Sequence, residues 1–142
     1  GGTNIELDKA LDHVFGYGVG IDMTRRDLQS IAKKMKRPWE AGKAFDCATP
    51  CSPIQSSEYI GHPKQGRIWL AVNGSIRQDG DLEQQIWQVP ESISYLSRYF
   101  EIFPGDLILT GTPAGVGSLS IGDKITGGID QIGYINLEVI SS

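Results

Sequence analysis

The sequence predicts an α+β fold, and three observations carry that prediction. Glycine supplies 18 of the 142 residues and proline another 7. That glycine share lies well above the usual ~7% and suits tight turns and short strands. Several short segments carry apolar residues at helical spacing, each behind a plausible cap. Between them lies an Asn73-Gly74 pair flanked by two strand-like runs, the strongest short-range hairpin signal. Apolar residues at 39% and charged residues at 21% belong to an ordered chain, and residues 1–142 are enough for one domain with its own core.

Taken in order, Ile5 to Phe15 predicts a helix, with Asn4 as N-cap and Leu7, Leu11 and Val14 on one stripe. Gly16-Tyr17-Gly18 ends it, and Val19 to Met23 reads as a short buried strand. A second helix follows, with Thr24 as N-cap and Asp27 in its first turn, where a carboxylate meets the positive end of the helix. Its stripe is Leu28, Ile31, Ala32 and Met35, and Pro38 stops it near Arg37. Residues 46–66 read as loop. Arg67–Val72 and Ser75–Gln78 form the hairpin. Asp81 caps a short helix to about Gln88, and Pro90 opens another with Ile93, Leu96 and Phe100 inward. Pro104-Gly105-Asp106 is a turn, Leu107–Thr110 a short buried strand, and Gly111–Gly117 a glycine-rich loop. Residues 124–127 and 134–140 alternate as a closing hairpin or meander.

The balance of 13 basic against 17 acidic residues leaves a net charge of −4, which excludes a general nucleic-acid binder. No apolar run reaches the ~18 residues of a membrane span. The start, Gly1-Gly2-Thr3-Asn4, lacks the basic and apolar features of a signal peptide, and two cysteines fit a reducing cytoplasm. A first residue other than Met marks the chain as processed or as part of something longer.

Asp22 is the carboxylate of most interest. It closes an apolar strand just before a helix, where burial without a donor or cation is costly. It serves there either as a helix cap or as a ligand. Arg26 and Gln29 stand three apart on one helix face, distinct from the apolar stripe. Guanidinium groups grip carboxylates bidentately, although six basic residues crowd this helix and most must be solvated. Lys43, set among Ala, Gly and Phe, is either a buried cation able to stabilise an enolate oxygen or a snorkelling surface lysine. The loop Gly111–Gly117 lacks the ending of a phosphate-binding P-loop and the spacing of a dinucleotide fingerprint. Its glycines instead let backbone amides and the Thr112 hydroxyl approach a small anion. Cys47 and Cys51 have no further Cys and no suitably placed His for zinc. Asn73-Gly74-Ser75 matches a glycosylation acceptor, but a hairpin turn explains it better.

Four stretches together resemble the fumarylacetoacetate hydrolase family: Gly16–Gln29, Pro38–Phe45, Val72–Gln78 and Pro104–Gly117. They follow the family's order and rough spacing across nearly the whole chain. Met23–Gln29 with Arg37–Glu40 is most similar to the fumarylpyruvate and acylpyruvate hydrolase branch. The resemblance implies a β-rich fold with strands rolled into a mixed sheet around a central site, commonly as a homodimer. It implies Mg2+, or alternatively Mn2+ or Ca2+, with Asp22 as metal ligand, Arg26, Gln29, Lys43 and Thr112 in contact with a small 2-oxo or diketo acid, and Lys43 also catalytic. The implied reaction is hydrolysis of a carbon–carbon bond in a 2,4-diketo acid such as fumarylpyruvate. Oxaloacetate decarboxylation and isomerisation or hydration of an oxo-dienoate are the alternatives within the family. The family's Glu-x-Glu metal pair and its water-activating His and Glu have no counterpart here. This absence sets the expectation of the C-terminal two-thirds of a family member, completed by an upstream segment or a second chain. A non-catalytic remnant is the competing expectation.

Overall fold

The computed structural model describes residues 1–141. Six strands and four α-helices alternate along them: β1 (Gly16–Tyr17), α1 (Arg26–Lys34), α2 (Glu40–Lys43), β2 (Gln55–Ser56), α3 (Ser57–Ile60), β3 (Arg67–Val72), β4 (Ser75–Asp81), α4 (Val89–Leu96), β5 (Lys124–Ile129) and β6 (Gly133–Glu138). The larger sheet has the order β4-β3-β5-β6, and β1 pairs with β2 in a second, two-stranded sheet. Every strand pairing is antiparallel. No helix among the described residues is long and apolar enough to cross a membrane.

The central hairpin forms as the sequence predicts. Asn73 and Gly74 take φ of 51° and 78°, the positive pair that a two-residue turn of this kind requires. The turn is tied to β5 from both sides of one amide: Asn73 Nδ2 donates to Asp123 Oδ1 at 2.8 Å, and the Lys124 N–H donates to Asn73 Oδ1 at 2.9 Å. Within the hairpin the register jumps. Leu70 faces Gln78, but Ala71 faces Ile76, so Arg77 is left over as a bulge. The extra residue changes the phase of β4: Ile76 is half exposed, whereas Gln78 is turned in and buried.

One core cluster lies under this sheet. Val19, Leu82, Ile132 and Ile135 are buried there, with Tyr17, Ile21, Ile68 and Leu137 packed around them. A second cluster joins Ile5 and Ala10 to Ile93 of α4. Ser97 pins it: its Oγ accepts the Ile5 N–H at 2.8 Å and donates to the Ser94 carbonyl at 3.0 Å.

Several elements depart from expectation. The first helix narrows to a 3-10 segment, Leu7–His13. Asn4 does not cap it; its φ is 50° and its N–H donates to the Ser97 carbonyl. Docking onto α4 therefore selects Ile5 and Ala10 for burial and leaves Leu7 exposed. Val19–Met23 is extended but is not a regular strand. Its partners are residues 48–52, through Met23 N–H to the Ala48 carbonyl at 2.9 Å and Ile21 N–H to the Pro50 carbonyl at 3.0 Å. Pro50 has no N–H to return, and the ladder stays broken. Thr24 does not cap α1, which starts after Arg25 without a side-chain cap. The α1 stripe exists but none of it is fully buried. The helix capped by Asp81 is only a 3-10 turn, Leu82–Gln84. Ile93 faces in as expected, whereas Phe100 is exposed. Leu107–Thr110 pairs with no strand; Ile108 packs on the second cluster while Leu107 and Leu109 face outward.

Candidate functional site

Two neighbouring groups of residues carry the candidate chemistry, and the large sheet holds both on one face. Ile21 lies over Gly127 of β5, with its Cδ1 3.7 Å from where a Cβ at Gly127 would stand. Alternation along the extended backbone then turns Asp22 the other way, off the sheet. Gly127 faces Leu70 of β3, and Leu70 faces Gln78 of β4. Gln78 holds the glycine loop, so a single strand separates the Asp22 branch from the Thr112 branch.

The Asp22 branch is built by two helices that touch through a glycine. The Arg25 N–H donates to the Gly42 carbonyl at 3.0 Å. A Cβ at Gly42 would stand 3.1 Å from the Gln29 nitrogen and 3.3 Å from the Arg25 carbonyl, so the close approach of α2 to α1 depends on its absence. This approach delivers Lys43. Its Nζ donates to Asp22 Oδ1 at 2.8 Å, to Asp22 Oδ2 at 2.7 Å and to Thr24 Oγ1 at 3.0 Å. The pair is half exposed, at 32% for Lys43 and 40% for Asp22. Asp22 thus neither caps the helix nor sits alone: its whole carboxylate is bridged by one ammonium. Thr24, read from the sequence as a cap, is the third acceptor of that ammonium.

Arg26 and Gln29 share a helix face as their spacing predicts, with Arg26 Nη1 donating to Gln29 Oε1 at 3.4 Å. Arg25 is diverted elsewhere, its guanidinium lying 4.4 Å above the Phe45 ring. Arg26 is exposed and Gln29 partly so, with polar ends able to meet a small anion.

The Thr112 branch hangs on β4. Gln78 Nε2 donates to Thr112 Oγ1 and to the Pro113 carbonyl, both at 2.7 Å. Gln85 Nε2 donates to Thr110 Oγ1 at 2.9 Å. Gly115 has a φ of 101° and presses on the Arg77 carbonyl, where a Cβ would collide. Gln78 escapes a reading of the sequence alone; its one signal is an amide where β4 should turn a side chain toward the core.

Two further sets of reactive groups are present. Tyr17 and His62 share a hydrogen bond of 2.7 Å between hydroxyl and Nδ1, and burial pushes the Tyr17 hydroxyl above its ordinary pKa. Cys47 and Cys51 are both free and exposed.

A hard divalent cation asks for several oxygen donors. Among the described residues no cluster of three or more His, Cys, Asp or Glu side chains is placed to hold a metal ion. Asp22 is one carboxylate, and an ammonium already takes both its oxygens. The residues present therefore do not fit a resident cation by themselves.

Comparison with known proteins places this arrangement among relatives. The family model described as fumarylacetoacetate (FAA) hydrolase C-terminal matches residues 1–140. The chain is 44% identical over 138 residues to a fumarylpyruvate hydrolase of a Ralstonia species, covering 97% of this chain and 71% of that protein. It is 42% identical over 130 residues to the mitochondrial oxaloacetate tautomerase FAHD1 of Rattus norvegicus, covering 92% of this chain and 59% of that one. The fumarylpyruvate hydrolase of Pseudomonas aeruginosa, solved in complex with Mn2+ and pyruvate, superimposes with a TM-score of 0.97 at 49% identity. That match covers 100% of this chain and 61% of the other. The chain thus spans between about three-fifths and seven-tenths of these three relatives. By sequence and by fold, it belongs to the fumarylacetoacetate hydrolase family.

Proposed function

We propose that this chain supplies the substrate-gripping part of a site that hydrolyses a carbon–carbon bond in a 2,4-diketo acid, an acylpyruvate such as fumarylpyruvate. What supports the reading is that Lys43 pairs with Asp22, that Arg26 pairs with Gln29 on the helix that starts just after Asp22, and that Gln78 of the large sheet holds Thr112. Arg26 and Gln29 orient a carboxylate of the substrate, and Thr112 holds a carboxylate at the other branch. Water adds to the 4-oxo carbon, the C3–C4 bond breaks, and its electron pair passes into a pyruvate enolate that takes a proton at C3. The ammonium of Lys43, on releasing one of its three present acceptors, stabilises the enolate oxygen as charge develops there.

The cofactor in this reading is a divalent cation, Mg2+ ahead of Mn2+ or Ca2+. Asp22 is one of its ligands, and the remaining carboxylates come from outside the described residues. The named binding of Mn2+ by the Pseudomonas relative supports this. A homodimer is also part of the reading.

The rat relative named as an oxaloacetate tautomerase favours a second reading. Interconversion of keto and enol forms passes through an enolate of the same 2-oxo acid type, so Lys43, Arg26 and Gln29 keep their roles; a proton moves between C3 and the 2-oxo oxygen, and no carbon–carbon bond breaks. A substrate panel of fumarylpyruvate, acetylpyruvate and oxaloacetate separates the two. Cleavage of an acylpyruvate, lost in Asp22→Ala, supports the hydrolase. Enol–keto interconversion without cleavage supports the tautomerase. Turnover of none of the three, or full activity in Asp22→Ala with metal still bound, overturns the site.

A further inference from the structure

We propose that Gln78 is a positioning residue that occupies one lone pair of the Thr112 hydroxyl and leaves its proton free, so that the glycine loop offers a hydrogen-bond donor to an acceptor oxygen of the ligand. This rests on the reading of Thr112 as a ligand contact and adds the polarity of that contact.

The argument is one of donors and acceptors. A carbonyl oxygen only accepts, so the Gln78 atom 2.7 Å from the Pro113 carbonyl is the NH2 group. That group has two protons. One goes to the Pro113 carbonyl, and the other points at Thr112 Oγ1, also at 2.7 Å. Thr112 must therefore accept from Gln78. Its own proton cannot turn back on the amide and has no acceptor among the described residues. It faces outward from an exposed position, ready for a carboxylate or carbonyl oxygen. A donor on the ligand is left only the second lone pair of the same oxygen.

The surroundings hold this arrangement in place. Gln78 is 8% exposed, so its amide has little solvent to exchange partners with. The bulge at Arg77 turns it inward, and bulges commonly re-aim a side chain next to a site. The same bulge presents the Arg77 carbonyl to Gly115. The loop is thus held at Pro113 and again at Gly115.

The test measures pyruvate binding, as a small 2-oxo acid probe, by calorimetry on the protein as it occurs in its source. It compares wild type, Gln78→Glu, Thr112→Val and the double variant, with melting temperatures taken alongside. A glutamate has the shape of the amide but only accepts, so Thr112 turns its proton inward. Gln78→Glu and Thr112→Val are each expected to weaken pyruvate about tenfold, the scale of one hydrogen bond to a charged group. The double variant is expected to be no weaker than Thr112→Val alone. Wild-type affinity in Gln78→Glu, with Thr112→Val weakened, overturns this proposal and spares the reading of Thr112. Additive losses also overturn it, since Gln78 then acts on the loop rather than through the hydroxyl. Unchanged binding in Thr112→Val, or no saturable binding by wild type, overturns the reading and the proposal together. If Gln78→Glu does not fold, the side-chain NH2 signals of wild type decide by NMR: both protons protected from exchange support the clamp, and free exchange of either overturns it.

Discussion

Lys43 holds Asp22 by both carboxylate oxygens, at 2.8 and 2.7 Å, and the same ammonium reaches Thr24. The pair is half exposed, so it adds only about 0–1 kcal/mol to stability. Its consequence is for cations. A divalent ion approaching Asp22 must displace an ammonium and then finds no cluster of three His, Cys, Asp or Glu ligands among the described residues. Titration of the 142-residue chain with Mg2+ or Mn2+ is therefore expected to show binding weaker than micromolar. Lys43→Met, which removes the competitor, should tighten it severalfold. Micromolar affinity in the wild-type chain would contradict the single-carboxylate picture.

Gly42 sets the distance between the helices that make this pair. A valine there would drive its side chain against the Gln29 nitrogen and the Arg25 carbonyl, both backbone atoms of α1 that cannot swing aside. Gly42→Val is expected to destabilise the fold by about 1–3 kcal/mol and to move Lys43 away from Asp22. Thermal denaturation checks the first effect. The second appears as a divalent affinity close to that of Lys43→Met. An unchanged melting temperature would show that α2 is not held where it stands.

Local chemistry made much of this fold legible. The Asn73-Gly74 turn, the β5–β6 hairpin, Pro90 at the start of α4 and the amphipathic α1 all follow from propensity and spacing. The pairing of Arg26 with Gln29 follows from the helical repeat. What was illegible depends on long-range contacts. The segment before β1 forms a 3-10 turn because Ser97 and Ile93 claim Ile5 and Ala10. Alternation gives Ile76 and Gln78 the same side of β4, and only the bulge at Arg77, set by pairing with β3, buries Gln78 while leaving Ile76 half exposed. Lys43 finds Asp22 across 21 residues through a glycine contact that no periodicity announces.

The tie between the hairpin turn and β5 should make stability fall in acid. Asp123 accepts the Ser120 N–H at 2.7 Å and the Asn73 amide at 2.8 Å. These bonds, the backbone one foremost, hold its carboxyl below the ordinary value of 3.8. A carboxyl lowered on folding contributes stability that is fully present above its unfolded value and is lost as pH falls through the folded one. The loss attributable to Asp123 is therefore expected below about pH 3.8. Urea melts from pH 6 to pH 2 on wild type and Asp123→Asn test it. The two curves should converge at the acid end. Parallel curves across the whole range would remove Asp123 as a source.

The surface asks for a partner. The chain exposes 9835 Å², whereas a compact monomer of 15.5 kDa exposes about 7,200 Å². The excess of about 2,600 Å² is on the scale of an obligate interface rather than a passing contact. Much of what is exposed is apolar and falls in two stretches of the chain: Ile31 and Met35 on α1, and Trp87 stacked edge-on against Tyr95 with Tyr99 beside it, followed by Phe100, Phe103, Leu107 and Leu109. Isolated apolar side chains on a surface mean little, but runs of this kind mark association sites. Light scattering on the 142-residue chain is expected to give at least twice 15.5 kDa, or aggregation that worsens with salt and concentration, together with strong binding of a dye that reports apolar surface. Charged replacements on one face at a time, Ile31→Glu with Met35→Lys, or Tyr99→Lys with Phe103→Glu, should lower both signals where that face is the one covered. A monodisperse monomer without dye binding would mean that the chain has closed these faces on itself in solution.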